Sequence, residues 1–448
     1  MRKLALLASS MGLLALTVFA APPPAAAIPP LKFTDTRLPN GLRVIIVEDR
    51  FAPVYSIAVT YNVGSRNERP GRTGFAHLFE HMMFKGSEKV GPGEHFFLVY
   101  NNGGNMNGST SQERTNYYET LPKNQLELGL FLESDRMRSL VITQENLDNQ
   151  RATVQEERRL GVDNMPYGQS SEKMQELMFE NFAYKHSVIG SMADLSAASI
   201  EDVKGFFKIY YAPNNAVLTL VGDLDTKSTL ARVRKYFGDI RQQTPPPAVE
   251  VSEPPQASER RARLEDKLAR LARVQIGYRT VAGNEPDAYA MRALSTVLCG
   301  GESSRLYQKL VKEKQVAAAV FGNVSRSRGP SGFQISATPR PGRTPEEIEG
   351  LIYEEIARIQ AEPVAESELV KARAAARRMA LQRESSLMRA IQLGGDTVMF
   401  NDPGMINTDH VKLEAVTAAD IQRVAKKYLN SSARTVVVTV PADRGGAR

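Results

Sequence analysis

The sequence contains a single cysteine, and this scarcity excludes any disulfide bond within the chain. Cys299 stands alone among 448 residues, so the fold must be stabilised by its core rather than by covalent cross-links. With 42% hydrophobic residues, a chain of this length can build two or more ordinary domains. Cys299 precedes two glycines, and we expect it to be a small buried hydrophobic residue.

Long apolar runs are also rare, and the one present lies at the N-terminus. A basic start precedes an apolar run that ends at Phe19, and this run is shorter than the roughly 20 residues that a membrane span needs. The pattern is typical of a cleaved signal peptide over residues 1–20, followed by a Pro/Ala-rich tether over 21–32. Cleavage after Ala20 and cleavage after Ala27 both fit. We therefore expect a periplasmic mature chain without a membrane span.

Neither sign of charge dominates the sequence. The formal net charge is +7, and acidic residues are spread along the whole chain. A mixed surface with a mild basic bias does not indicate nucleic acid binding.

Histidine is scarce as well, but two of the five histidines stand close together. His77, Glu80 and His81 form a His-x-x-Glu-His pattern, which chance would produce less than about once in a hundred such sequences. In a helix the two rings project from one face, one turn apart, as the first two ligands of a zinc ion. Glu80 would lie close enough to act on a water held by the metal. The alternative is two ordinary histidines beside a solvated glutamate.

A catalytic zinc site needs a third protein ligand, and the sequence offers several. The segment 143–161 has helical spacing and carries three candidate carboxylates, Glu145, Glu156 and Glu157. Spacing alone does not choose among them, because a solvated helix face would carry the same residues.

Strand-like and helix-like segments alternate over residues 33–241 and again over 259–445. Between them, residues 242–258 are rich in proline and polar residues, which indicates a linker. The pattern of the first half predicts strands over 42–47, 54–61, 107–119 and 216–221, and helices over 74–86, 123–138 and 143–161.

The second half repeats the first. Val47 falls opposite Leu264 at a shift of 217 positions, and Tyr61 then falls on Tyr278. The leucines that follow Leu264 are spaced as in a helix, but the repeat favours two strands joined by a turn. Later predicted elements are helices over 345–361 and 366–390 and a closing strand over 435–440.

The histidine pattern itself is not repeated. At the same shift, the residues opposite it are Leu294, Val297 and Leu298. One half can therefore hold a metal, and we expect the other to be a structural or substrate-holding partner.

The metal-binding pattern resembles the inverted-zincin signature of the metallopeptidase family that includes insulysin, pitrilysin and the mitochondrial processing peptidase. Glu157 follows His81 by 76 positions, and the resemblance extends over residues 33–445. It implies an α+β fold of two homologous α/β halves, each a mainly antiparallel sheet packed against helices, which together form half of a clamshell. It also implies a zinc endopeptidase in which His77, His81 and Glu157 hold Zn²⁺. Glu80 would be its general base.

A polar strand after the histidine pattern resembles the substrate-binding edge strand of the family. Its residues are Asn107, Gly108, Ser109 and Thr110. Such a strand adds a peptide to the sheet through backbone hydrogen bonds, which implies broad specificity for unfolded peptides. The alternative is an edge strand kept polar to avoid aggregation.

Two departures from the family pattern concern residues near the site. Gln150 stands where the family often has a second glutamate, and its amide can still hydrogen-bond a ligating histidine. The Arg and Tyr that hold substrate in active members correspond to Val311 and Ala318. These side chains donate no hydrogen bond, and losing such donors costs orders of magnitude in rate.

The resemblance therefore implies the zinc-bearing subunit of a bacterial heterodimer, whose paralogous partner supplies the Arg/Tyr pair. One alternative is a non-catalytic assembly or scaffold homologue, although such relatives tend to lose a ligand or the base. A second alternative is a slow homodimeric peptidase in which Arg305 or Arg326 replaces the missing pair.

Overall fold

The computed structural model describes residues 28–382 and 385–443. All described helices and strands lie in one compact unit that begins at Leu31. The predicted signal peptide, and the tether up to residue 27, lie outside the described residues. Among the helices of the described ranges, none combines the length and the apolar character that crossing a membrane requires.

The first half is built on a six-stranded sheet. Its strands are β1 (Thr34–Arg37), β2 (Arg43–Glu48), β3 (Val54–Tyr61), β4 (Asn105–Thr110), β5 (Thr115–Pro122) and β6 (Ala216–Gly222). Their spatial order is β1-β2-β6-β3-β5-β4, and every pair is antiparallel except β2 with β6. The strand β4 therefore forms one edge of the sheet.

Nine α-helices of the described residues follow or interrupt these strands. They are α1 (Phe75–Met82), α2 (Glu94–Asn101), α3 (Leu126–Arg138), α4 (Gln144–Arg158), α5 (Gly168–Met178), α6 (Phe182–Lys185), α7 (Met192–Ser196), α8 (Ile200–Tyr210) and α9 (Thr226–Phe237). Apolar side chains of α1, α3, α4, α8 and α9 form one core with the inner face of the sheet.

The second half is built on a five-stranded sheet with its own core. Its strands are β7 (Arg260–Asp266), β8 (Arg273–Arg279), β9 (Ala317–Val324), β10 (Gly332–Pro339) and β11 (Arg434–Pro441). Its helices are α10 (Pro286–Cys299), α11 (Pro345–Ala361), α12 (Glu366–Leu381), α13 (Ser386–Phe400), α14 (Met405–Glu414) and α15 (Ala418–Tyr428). Cys299, at the end of α10, is buried as expected.

The two sheets share one topology, which confirms the repeat and the α+β class. The order β7-β11-β8-β10-β9 reproduces β2-β6-β3-β5-β4 strand for strand, including a parallel first pair. The segment around Leu264 forms two strands joined by a turn, as the repeat predicts. On α10, the apolar residues opposite the histidine pattern are fully or almost fully buried.

Two predicted elements differ from the structure. Residues 107–119 form a hairpin rather than one strand, because Ser111 N–H donates to Arg114 C=O and closes a tight turn between β4 and β5. The helix predicted over 366–390 is two helices, α12 and α13. The second begins where the Ser385 hydroxyl accepts the N–H of Met388, an N-cap that local apolar spacing does not reveal.

Each sheet is covered by a helix from the other half of the chain. Leu393 of α13 packs on the outer face of the first sheet against β2, β3 and β6. In return, Met174 and Met178 of α5 pack against Val437 of the second sheet. The connecting residues 242–258 contain no helix or strand. The two halves are thus interlocked rather than merely linked.

The packing of α13 on the first sheet should contribute measurably to the free energy of unfolding. Leu393 is fully buried in this contact, so Leu393→Ala is expected to lower the free energy of unfolding by roughly 2–5 kcal/mol. Met388 of the same helix is 46% exposed, and Met388→Ala should cost about 0.5 kcal/mol or less. Urea denaturation measures both, and equal destabilisation would contradict the packing of α13 on the first sheet.

Candidate metal centre

Helix α1 presents two histidines on one face because its other positions are mostly apolar and buried. Phe79 and Met82 lie in the core of the first half. His77 and His81 are left at the edge of that core, with ring centroids 4.8 Å apart. Their side chains are only 17% and 19% exposed.

Glu157, in the last turn of α4, completes the group. Its Oε2 lies 3.6 Å from Nε2 of His77 and 3.4 Å from Nε2 of His81. Glu156 turns away and pairs with Arg159 at 2.9 Å. Glu145 is twelve positions earlier on the same helix, which places it about 18 Å away along the axis. The structure therefore brings one of the three candidate carboxylates to the histidines.

The spacing and chemistry of these donors fit zinc. Tetrahedral bonds of about 2.0–2.2 Å separate two ligand atoms by roughly 3.3–3.5 Å, close to the distances between Glu157 and the two rings. Burial, together with the neighbouring His81 ring, lowers the pKa of His77 to about 4. The His77 ring is therefore neutral near pH 7 and keeps a lone pair for a metal. Two imidazoles and one carboxylate leave a fourth position open, as in catalytic zinc sites.

Gln150, the residue predicted to support a ligating histidine, lies on the same helix as Glu157. It is buried on α4, but its Nε2 donates to Oδ1 of Asn149 at 2.5 Å rather than being turned to an imidazole. Nδ1 of His77 is buried and has no hydrogen-bond partner among the described residues. In the structure the Gln150 amide is thus bonded to its neighbour rather than to the His77 ring, and its support of a metal ligand stays a prediction.

Glu80 lies on α1 between the two histidines and the edge strand β4. Thr110 of β4 donates its hydroxyl to Oε2 of Glu80 at 2.6 Å. A Cβ on Gly108 would stand 2.8 Å from Oε1 of Glu80, so glycine allows this close approach. Burial raises the pKa of Glu80 to about 7, and the hydrogen bond from Thr110 partly offsets that rise. A carboxyl group with this pKa can both accept and return a proton near neutral pH.

The four residues predicted to bind substrate all lie on β4. Only β5 pairs with β4, so its other edge has no strand beside it in the described sheet. Gly108 and Thr110 contact Glu80, whereas Ser109 donates to Asn116 at 2.6 Å on the opposite face. Asn107 is exposed and accepts the N–H of Gly108 through its own Oδ1.

A second histidine–carboxylate group lies deeper in the core, and the sequence motifs did not reveal it. His95, Glu119 and Glu133 come from α2, β5 and α3, and all are buried. Burial lowers the pKa of His95 and raises those of both glutamates. Arg136 is also buried and pairs with Glu133. Since this arginine already supplies the cation, we interpret the group as a structural ion cluster.

Neither arginine proposed as a replacement oxyanion donor has a free guanidinium among the described residues. Val311 is buried in a π-helical turn, and Ala318 is exposed on β9. Arg305 makes two hydrogen bonds to Glu368, at 2.6 and 2.7 Å. Arg326 pairs with Asp396 at 2.6 Å. Both arginines are therefore engaged within the second half.

Two models of known protein families match the chain. A family model described as "Insulinase (Peptidase family M16)" matches residues 43–191, and one described as "Peptidase M16 inactive domain" matches residues 197–376. The chain belongs to peptidase family M16. This confirms the resemblance drawn from the histidine pattern.

Individual relatives cover nearly the whole chain. The zinc protease PqqE of Helicobacter pylori is 28% identical over 413 residues, which are 92% of this chain and 93% of that protein. The crystal structure of a protease from Helicobacter pylori matches with a TM-score of 0.88 at 29% identity, over 92% of this chain and 100% of that one. The periplasmic protease PqqL from Escherichia coli matches in fold, with a TM-score of 0.77 at 18% identity. That match covers 93% of this chain but 48% of PqqL.

The choice of Glu157 over its neighbour can be tested by metal binding. Glu157→Gln removes a charged ligand, so we expect zinc affinity to fall by more than the roughly 100-fold that loss of an outer partner costs. Glu156→Gln changes an exposed neighbour of the same type and should leave the affinity unchanged. Competition with a chromogenic chelator measures both. A stronger effect of Glu156→Gln would contradict the assignment.

Proposed function

We propose that this chain is a zinc endopeptidase that hydrolyses peptide bonds in unfolded peptides. The observation that carries the proposal is the arrangement of Glu80. It lies on the same helix as His77 and His81, which meet Glu157 at zinc-ligand spacing, and it contacts the edge strand through Thr110. Relatives named as zinc proteases support the same activity.

The mechanism follows from what each side chain can do. Zinc held by the two histidines and Glu157 would supply a Lewis acid and a bound water of near-neutral pKa. Glu80, with its pKa raised to about 7, takes the proton of the attacking water and returns it to the leaving amine. The hydrogen bond from Thr110 keeps the Glu80 carboxylate oriented towards the site.

The substrate backbone pairs with the free edge of β4. Backbone N–H and C=O groups of the strand recognise an extended peptide whatever its side chains are, which favours broad specificity. Because Thr110 and Gly108 touch Glu80, a peptide on this edge passes beside the general base. The same contact would position its scissile bond.

We further propose that the active form is a heterodimer. Val311 and Ala318 offer no side-chain donor, and Arg305 and Arg326 are engaged in ion pairs. This argues for a paralogous partner that supplies the Arg/Tyr pair, and against a slow homodimer. The presence of both histidines, Glu157 and Glu80 argues against a non-catalytic scaffold.

The N-terminal sequence supports export to the periplasm by a cleaved signal peptide over residues 1–20. In the proposed mature chain, residues 33–241 form the catalytic half, 242–258 the linker and 259–445 the half without a metal site.

Replacing the general base should separate metal binding from catalysis. Glu80→Gln keeps the shape of the side chain but cannot accept the proton, so kcat is expected to fall by about 10²–10⁴-fold with one zinc still bound. Cleavage of a quenched fluorescent peptide and metal analysis of the same sample measure both. Glu156→Gln, on the exposed face of α4, is the matched control. Undiminished cleavage by Glu80→Gln would remove Glu80 from the mechanism.

The heterodimer can be tested by mixing. The assay compares peptide cleavage by this chain alone, by a paralogue with Arg and Tyr at the positions matching Val311 and Ala318, and by the two together. Because oxyanion donors contribute on the order of 10²–10³-fold to kcat, the mixture should exceed the sum of the separate rates by that order. Full activity of this chain alone would contradict the heterodimer.

A further inference from the structure

One short segment contacts both helices that carry the proposed metal ligands. We call residues 186–191, between α6 and α7, the strap. Its first residue, His186, contacts Glu68, which caps the beginning of α1. Its glycine, Gly190, contacts both the beginning of α1 and the end of α4. None of the residues it uses is a metal ligand.

The N-terminus of α1 is capped by a buried carboxylate from outside the helix. The N-cap residue Gly74 has φ +84° and no side chain with which to cap the helix. Instead, Oε2 of Glu68 accepts the N–H of Gly74 at 3.0 Å, and Oε1 accepts the N–H of Ala76 at 2.7 Å. A negative charge at this position is favourable, because the helix dipole and the free N–H groups both attract it.

The strap holds that carboxylate through His186. Nε2 of His186 lies 2.8 Å from Oε2 of Glu68, and its Nδ1 lies 2.8 Å from the C=O of Phe182. A carbonyl only accepts, so Nδ1 must be the donor there. The hydrogen bond between Nε2 of His186 and Oε2 of Glu68 then needs one further proton, carried either by the ring or by the carboxyl group. With both ring nitrogens engaged, His186 fixes the orientation of Glu68.

Gly190 brings the strap into direct backbone contact with the start of α1. A Cβ on Gly74 would stand 2.6 Å from the C=O of Ile189, and one on Gly190 would overlap the backbone of Thr73 and Gly74. Both residues have positive φ, which favours glycine. The beginning of α1 therefore cannot shift without moving the strap.

The same glycine is bonded to the end of α4. Arg158, the residue after Glu157, donates from Nη1 to the C=O of Gly190 at 2.6 Å. Its guanidinium also makes a bidentate ion pair with Glu172, with Nη1 to Oε1 at 2.7 Å and Nη2 to Oε2 at 2.9 Å. The side chain is only 12% exposed, so this bond is shielded from water and is geometrically restricted.

We propose that Glu68, His186 and Arg158 are positioning residues that set the distance between the two histidines and Glu157 through the strap. The inference rests on the proposed zinc site. The strap contacts also provide support that the His77 ring does not receive directly. Nδ1 of His77 has no hydrogen-bond partner among the described residues, and the Gln150 amide is bonded to Asn149. Control of ligand geometry thus lies at the helix ends rather than in hydrogen bonds to the rings.

The test compares two adjacent arginines. Arg158→Ala cuts the bond to Gly190, whereas Arg159→Ala removes an equal charge that is 46% exposed and, among the described residues, pairs only with Glu156. Zinc affinity is measured by chelator competition, together with the melting temperature of the metal-free protein. We expect Arg158→Ala to weaken zinc binding roughly 10- to 100-fold, as for loss of other residues that orient ligands, and Arg159→Ala to leave it unchanged. Arg158→Lys, which keeps one donor for Gly190, should recover part of the affinity.

The measured zinc affinities support or refute the positioning role of the strap contacts. Unchanged zinc affinity in Arg158→Ala, even with a lowered melting temperature, would show a purely structural role and overturn it. If Arg158→Ala does not fold, Glu68→Gln replaces it, because the new amide turns a donor towards the N–H groups of α1 and should weaken zinc to a similar extent. Absence of zinc binding by the unmodified protein would instead refute the proposed function itself.

Discussion

The separation between helix α1 and the last turn of α4 is the constraint on which the proposed metal site depends. His77 and His81 come from one helix and Glu157 from the other. Oε2 of Glu157 lies 3.6 Å from Nε2 of His77 and 3.4 Å from Nε2 of His81. A relative shift of about 1 Å would leave a tetrahedral ion with two of its three protein ligands, because ligand distances tolerate only a few tenths of an ångström. Glu80 adds a further constraint, since it joins α1 to the edge strand through Thr110. The proposed ligands, the proposed base and the strand that would hold substrate are therefore positioned together.

The second half shows that the fold does not depend on this chemistry. It repeats the strand order of the first half around a separate core. Where the first half has its histidines, Leu294 and Leu298 are fully buried on α10. The topology is set by strand pairing and apolar packing, so one copy can exchange ligands for core residues without losing its shape. The interlocking helices α5 and α13 then hold the site-bearing copy against the other.

Local sequence patterns predicted those parts of the structure that depend on residues close together in the sequence. The histidine pair, the repeat and most strands could be predicted, because each rests on spacing within one element or on self-similarity. Spacing could not choose Glu157 over Glu156, since the choice depends on which side of α4 faces α1. The turn after Thr110 and the N-cap at Ser385 were missed because single polar residues interrupt otherwise regular spacing. The bond between Glu68 and His186 joins residues 118 positions apart, a distance at which no local pattern carries information.

The proposed activity requires α1 and α4 to meet at one zinc ion. Anomalous diffraction at the zinc edge, from crystals of the zinc-loaded chain, tests it most directly. We expect one peak within about 2.0–2.2 Å of Nε2 of His77, Nε2 of His81 and a carboxylate oxygen of Glu157. A peak at the buried group of His95 and Glu119, or no ordered zinc between α1 and α4, would contradict it.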